Sequence, residues 1–285
     1  MDRPRVGLAL SGGGARGLAH IGVLKVLERR GVPIDCLSGA SMGGILAAAY
    51  AAGTSPDMLE SLALRMARLR RLVRLVDLRP PRRGLLSGNR LRTFLAQFIP
   101  PELTFADLRL PLALEAVDLR TGEEVALTEG LVLDAALATS AFPGVLPPVE
   151  WNGRCLVDGG VLDNLPVDLV RGLGAEYVIA VDVSSAACDD DSWDPLAGDT
   201  ALPAFLGMAL DAVGVMVAAQ TRAKLKSDPP DLLVRPRLSH DIGTFSSFTR
   251  AAEIIRLGEE AAERGLAQRS LRLEPVPRVP LTLAA

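Results

Sequence analysis

The chain has 285 residues, is 49% hydrophobic and 23% charged, and carries a net charge of −3. That size and apolar content suffice for a substantial core and exclude a disordered or fibrous chain, and the mild negative balance argues against general nucleic-acid binding. Three scattered cysteines, Cys36, Cys155 and Cys188, argue against a disulfide framework or a zinc site and fit a reducing compartment.

The start Met1-Asp2-Arg3-Pro4-Arg5 leads straight into a strand pattern, with no basic-then-apolar signal segment, so the expected location is the cytoplasm. Val6 to Leu10 is a short apolar run of the kind found in central parallel strands. Gly17 to Arg30 follows as a helix with Leu18, Ile21, Leu24 and Leu27 on one face, and Gly31 ends it. Ile34 to Ser38 is a second strand, and Gly43 to Ala52 a helix of small residues. Ser55-Pro56 opens a third helix, serine as cap and proline in the first turn.

Further along, Leu110 to Val117 and Glu124 to Thr128 read as a strand pair turning at Arg120-Thr121-Gly122-Glu123. A short helix over Leu131 to Thr139 and a strand from Arg154 to Val157, ending at Asp158, come next. Leu165 to Leu173 is helical and Tyr177 to Val183 is a buried strand. The acidic stretch Ala186 to Thr200 reads as a mobile loop. Ala201 to Ala219 is the most apolar run, but Pro203, Asp211 and two glycines favour a buried helix over a membrane span. That helix reaches about Lys226, with a strand at Leu232 to Arg235 and a last helix near Thr249 to Arg264 after it. Alternating strands and helices imply an α/β fold, a mostly parallel sheet covered on both faces. Without repeats or a long linker, residues 1–285 are expected to form one domain, with a core over 5–240 and a C-terminal helix and tail over 241–285.

Chemistry concentrates at two strand-to-helix turns. Gly39-Ala40-Ser41-Met42-Gly43 has the form of a nucleophile elbow, a serine on a tight turn whose hydroxyl stands above the sheet. One βα unit earlier lies the loop Ser11-Gly12-Gly13-Gly14-Ala15-Arg16-Gly17. Gly12, Gly14 and Gly17 match the spacing of a dinucleotide loop, and Asp35 lies 18 residues beyond Gly17, near where a ribose-binding acid is expected. Two readings therefore stand: a dinucleotide-binding oxidoreductase, or an oxyanion hole in which loop amides face a developing negative charge. Asp35 begins its strand rather than ending it, and Ser41 occupies the end, which favours the oxyanion hole. Arg16 adds a positive charge at the helix start.

A serine nucleophile needs a base, commonly histidine. The chain has only His20, on the first helix, and His240, in a loop, and neither has the context of a base. Asp158, at a strand end and followed by Gly159-Gly160, is the better candidate. Asp163 and Asp168 read as turn and helix-start acids.

These residues together resemble the patatin-like phospholipases, in particular their short bacterial members. Four blocks carry the resemblance: Leu10 to Gly17, similar to the family's oxyanion loop; Gly39 to Gly43, similar to its nucleophile elbow; Ala138-Thr139-Ser140-Ala141-Phe142-Pro143 with Pro147-Pro148, similar to its proline segment; and Asp158-Gly159-Gly160 with Asn164 and Pro166, similar to its aspartate motif. Leu146 stands where an aromatic is common. The resemblance implies a three-layer α/β/α sandwich and a Ser-Asp dyad of Ser41 and Asp158, with Gly12, Gly13 and Gly14 as the oxyanion loop. It implies an acyl-enzyme route on lipid or acyl-ester substrates with no metal or organic cofactor. A patatin-like fold retained for regulation, with little turnover, is the other reading it leaves.

Between Arg65 and Arg92 the chain has ten arginines and one acid, Asp77. Leu62, Met66, Leu69, Val73 and Val76 recur at helical spacing among them. Such a segment either packs on the core with a solvated arginine face or lies on an anionic membrane, which would place the protein peripherally at the inner membrane surface.

Overall fold

The computed structural model describes residues 3–68, 88–184, 204–239, 241–244 and 246–268. Most of the segment from Arg65 to Arg92, the stretch Ala186 to Thr200, Cys188 and His240 lie outside the described residues.

Among the described residues, eight strands form one sheet. They are β1 (Val6–Leu10), β2 (Cys36–Gly39), β3 (Leu112–Asp118), β4 (Glu123–Leu127), β5 (Val149–Trp151), β6 (Arg154–Asp158), β7 (Tyr177–Val181) and β8 (Leu232–Val234). The run β3-β2-β1-β7-β8 is parallel, whereas β4 and β6 pair antiparallel with β3, and β5 pairs antiparallel with β6. Helices cover both faces, as expected of an α/β/α sandwich. They are α1 (Ala19–Arg29), α2 (Ser41–Ala51), α3 (Pro56–Arg68), α4 (Gly88–Leu95), α5 (Val132–Thr139), α6 (Val167–Gly172), α7 (Ala204–Ser227) and α8 (Ala251–Gln268).

Strand alternation divides the core. Leu8, Leu10, Ile179 and Val181 face α1, α2, α5 and α8, while Ala9, Val178 and Ala180 face α6 and Leu225 of α7. This is the period-two pattern of a sheet buried on both sides.

Strand β3 positions the site. Its partner β4 overlaps β2 at Leu114 and overlaps β6 at Ala116. Two strands cannot share one edge at the same residue, so β2 and β6 both lie along the edge opposite β4. They run toward each other, Gly39 reaching Leu114 and Asp158 reaching Ala116. The C-terminal ends of β2 and β6 therefore meet end to end.

Several boundaries differ from expectation. The helix expected from Gly17 starts with a 3₁₀ turn, Gly14–Leu18, before α1. Strand β5 is an element that periodicity does not reveal, although its turn is readable. Asn152 and Gly153 have φ of +47° and +79°, the Asn-Gly pairing of a two-residue hairpin. Among the described side chains of helix α7, Ala218 and Thr221 are buried while Met208 and Met216 are 61% and 62% exposed, so this part of the helix is not buried as its apolarity suggests. No helix among the described residues is long and apolar enough to cross a membrane.

Candidate active site

Ser41 begins α2 immediately after β2. Its φ is +52°, a left-handed conformation that among the described non-glycine residues only Asn152 shares. Such backbone costs on the order of 1–3 kcal/mol and persists where its surroundings enforce it. Here they do. The Ala40 amide donates to Leu10 O at 3.2 Å, and the Ser41 amide donates to Thr139 Oγ1 at 3.1 Å. Gly43 passes so close to β1 that a Cβ there would lie 2.4 Å from the carbonyl oxygens of both Leu10 and Ser11.

The Ser41 hydroxyl donates to Asp158 Oδ2 at 2.6 Å. The Gly160 amide donates to Asp158 Oδ1 at 2.8 Å, and the Asp158 amide donates to Ala141 O at 3.1 Å. Asp158 is 1% exposed. Burial pushes its carboxyl up to about 7, while the bonds from Ser41 and Gly160 pull the other way. A carboxylate of that basicity can take a proton from a hydroxyl it already holds.

The glycine loop lies beside this pair. The Gly12 amide donates to Asn164 O at 3.0 Å and the Ala15 amide to Thr244 O at 2.7 Å, whereas among the described residues no carbonyl takes the amides of Gly13 or Gly14. Gly12 is thus engaged structurally, and the free donors are the next two. Arg16 Nε donates to Val183 O at 3.0 Å, and burial lowers the guanidinium below its usual range. Gly17 packs against the Met42 side chain.

His20 is fully buried. Its Nε2 donates to Ser11 O at 2.8 Å, Nδ1 has no partner among the described groups, and burial lowers the ring to about 4. It is a neutral strut beneath the loop, with no bond to Ser41. Asp35 holds Arg3 through two contacts of 2.6 and 2.7 Å and accepts from the Val6 amide. It stands where β2 begins, across the sheet from the glycine loop, and so cannot serve a ribose bound there.

Asp163 caps a turn by accepting from the Leu165 amide at 3.1 Å, and Asp168 falls in the first turn of α6. Carboxylate oxygens of Glu124, Asp163 and Asp168 lie within 4.8 Å of one another. Lys224 supplies the counter-charge, 2.6 Å from Glu124 and 2.8 Å from Asp163. Thr139 and Asn164 fall inside the recognised blocks, but spacing gives no hint of what they bond. Buried Glu115, behind Gly159 on β3, carries no signal in its strand pattern.

The patatin-like phospholipase family model matches residues 8–171, more than half of the chain. An uncharacterised NTE family protein of Mycobacterium tuberculosis is 38% identical over 187 residues, covering 64% of this chain and 50% of that protein. A lysophospholipase of Pyricularia oryzae is 30% identical over 275 residues, 89% of this chain and 18% of the fungal protein. Patatin-like phospholipase domain-containing protein 6 of Mus musculus is 33% identical over 226 residues, 77% of this chain and 17% of its own. The chain therefore spans half or less of these relatives. In fold it is similar to VipD from Legionella pneumophila, with a TM-score of 0.61 at 14% identity over 94% of this chain and 67% of VipD.

Proposed function

This chain belongs to the patatin-like phospholipase family, and on that premise we propose that it hydrolyses fatty-acyl esters of lipids through Ser41 and Asp158. The observation that carries this reading is the 2.6 Å hydrogen bond from Ser41 Oγ to Asp158 Oδ2, made by a serine held at positive φ. Relatives named as a lysophospholipase and a phospholipase domain protein support a lipid ester as the substrate class.

In this mechanism Ser41 Oγ attacks the ester carbonyl carbon and its proton passes to Asp158 Oδ2. The carbonyl oxygen becomes an oxyanion, stabilised by the amides of Gly13 and Gly14. One such donor contributes about 2.7–4 kcal/mol to the transition state. The tetrahedral adduct collapses, the ester C–O bond breaks, and the alcohol leaves with the proton from Asp158. Water then attacks the acyl-Ser41 carbonyl and gives a proton to Asp158. The fatty acid departs and Ser41 regains its proton. Gly12 shapes the glycine loop with support from Arg16 and Gly17, while Gly39 and Gly43 support the serine turn and Gly159 and Gly160 the aspartate turn.

We read the chain as one hydrolase domain that includes its C-terminal helix, a reading supported by Ile254, Ile255, Ala261 and Ala262 of α8 lying in the same core as Leu24 and Leu27 of α1. We place the enzyme in the cytoplasm, touching anionic lipid through the Arg65–Arg92 segment.

Fluorophosphonate labelling followed by intact mass tests the assignment. Wild type is expected to gain one adduct, Ser41→Ala none, and Asp158→Asn to label far more slowly. Equal labelling of Ser41→Ala and wild type would remove Ser41 as nucleophile. Profiling of hydrolysis products across headgroup classes then identifies the lipid, and absent turnover on lipids and on a short nitrophenyl ester would instead favour a regulatory fold.

A further inference from the structure

We infer that Asn164 is a positioning residue that locks the glycine loop onto the aspartate turn, so that oxyanion donors and the Ser41–Asp158 pair keep one mutual geometry. The inference rests on the reading of Ser41 and Asp158 given above.

Asn164 is buried and touches both halves of the site. Toward the loop, its backbone carbonyl accepts from the Gly12 amide at 3.0 Å, and its Nδ2 donates to Gly12 O at 3.4 Å. Both polar groups of Gly12 are therefore met by one residue. Toward the aspartate turn, its Oδ1 fills the space beside Gly160, where a Cβ would come within 2.6 Å of it. Gly160 is the residue whose amide holds Asp158 Oδ1. Gly12 in turn lies against the nucleophile, since a Cβ on it would be 2.9 Å from Ser41 Cβ and 2.4 Å from Asn164 Oδ1.

The residue is itself firmly mounted. Neighbouring Asp163 donates its amide to Gly159 O at 2.9 Å, accepts from the Leu165 amide, and holds Lys224 of α7 at 2.8 Å. The loop needs such a mount. The amides of Gly13 and Gly14 are held by no carbonyl among the described residues, so their aim depends on how Gly12 is set. A displacement of about 1 Å in a positioned group can cost roughly 100-fold in rate.

The residue type follows from the contacts. Leucine would fill the volume but leave the buried Gly12 carbonyl without its side-chain donor. Aspartate would set a carboxylate against that carbonyl. Asparagine supplies the donor there and lies flush between two glycines.

The test compares wild type, Asn164→Ala and Asn164→Asp in the full chain, with turnover of a nitrophenyl ester expressed per site titrated by fluorophosphonate. Turnover per titrated site is expected to fall about 10- to 100-fold in both variants, with KM within about threefold, the pattern of an interaction felt in the transition state. The rate of fluorophosphonate labelling is expected to fall in parallel. A loss confined to the fraction of molecules that label, with per-site turnover within twofold of wild type, would show that Asn164 only supports folding and overturn the inference. If Asn164→Ala does not fold, Asn164→Ser is read by the same criterion. Turnover retained by Ser41→Ala would instead defeat the Ser41–Asp158 reading itself.

Discussion

Ser41 and Asp158 are 117 residues apart in the chain and 2.6 Å apart at their side-chain oxygens. The sheet brings them together without help from a loop. Strands β2 and β6 approach end to end along one edge of β3, and the two turns that follow them face each other. In the proposed mechanism this arrangement leaves no need for a histidine. Burial, outweighing the opposing bonds from Ser41 and Gly160, gives the Asp158 carboxyl an affinity for protons like that of an imidazole, about 7 instead of the ordinary carboxylate value.

The first prediction follows from that value. Asp158 must be ionised to accept the Ser41 proton, so kcat/KM for an uncharged ester is expected to rise with pH through an apparent pKa near 7. At one unit below the midpoint the rate should be about a tenth of its plateau. A pH–rate profile measures this directly, and a rate that is flat between about pH 5 and 8 would be incompatible with Asp158 as the base.

Local turn chemistry made Ser41 and Asp158 legible from sequence. A serine between glycines after a strand and an aspartate before Gly159-Gly160 each announce a tight turn that presents a polar group, strained only at Ser41. What spacing could not convey is pairing across long stretches of chain. The sharing of one β3 edge by β2 and β6, the capture of the Gly12 amide by Asn164, and the support of the Ser41 amide by Thr139 all depend on tertiary contacts. Strand β5 is a different case, because Asn152-Gly153 is a hairpin signal that three short residues of strand were too few to reinforce.

The second prediction concerns Glu115. It is buried on β3 with Oε1 unpartnered among the described residues, and burial followed by the charges of Asp163, Glu124 and Asp168 raises its carboxyl to about 9. The folded protein therefore binds one more proton here than the unfolded chain between the ordinary glutamate value and about 9. Stability from this group falls as pH rises through that window, by at most about 1.4 kcal/mol per pH unit. Glu115→Gln removes the dependence. Its melting temperature relative to wild type is expected to climb steadily from about pH 5 to 9. A difference that stays level or shrinks would mean that Glu115 is ionised in the fold.

The third prediction concerns the arginine-rich segment between Arg65 and Arg92. Co-sedimentation with vesicles is expected to require anionic lipid and to weaken as salt rises from about 0.05 to about 0.5 M, because polybasic attraction is screened over a shortening distance. Binding indifferent to lipid charge and to salt would assign those arginines to a solvated helix face.

The last prediction tests how the C-terminal helix is joined to the core. Helices α1 and α8 cross backbone to backbone: a Cβ on Gly22 would lie 2.0 Å from Ile255 O, and one on Gly258 would lie 2.0 Å from Ala19 O. Charged pairs flank the crossing, with Lys25 2.8 Å from Glu259 and Arg29 2.8 Å from Glu263. Those pairs are partly exposed and screened by solvent, so close apolar contact is the stronger tie. Alanine is the better helix former by about 1 kcal/mol, and on propensity alone Gly258→Ala should stabilise α8. The contact distance argues the reverse. The methyl group meets a backbone carbonyl that cannot turn aside, so the helices must separate at an overpacking cost of about 3 kcal/mol, several degrees in melting temperature. Thermal unfolding of Gly258→Ala and Gly22→Ala decides between the two effects. Unfolding at or above the wild-type temperature would show that the crossing tolerates separation. A drop of several degrees in each variant would show that α8 is docked through these two glycines.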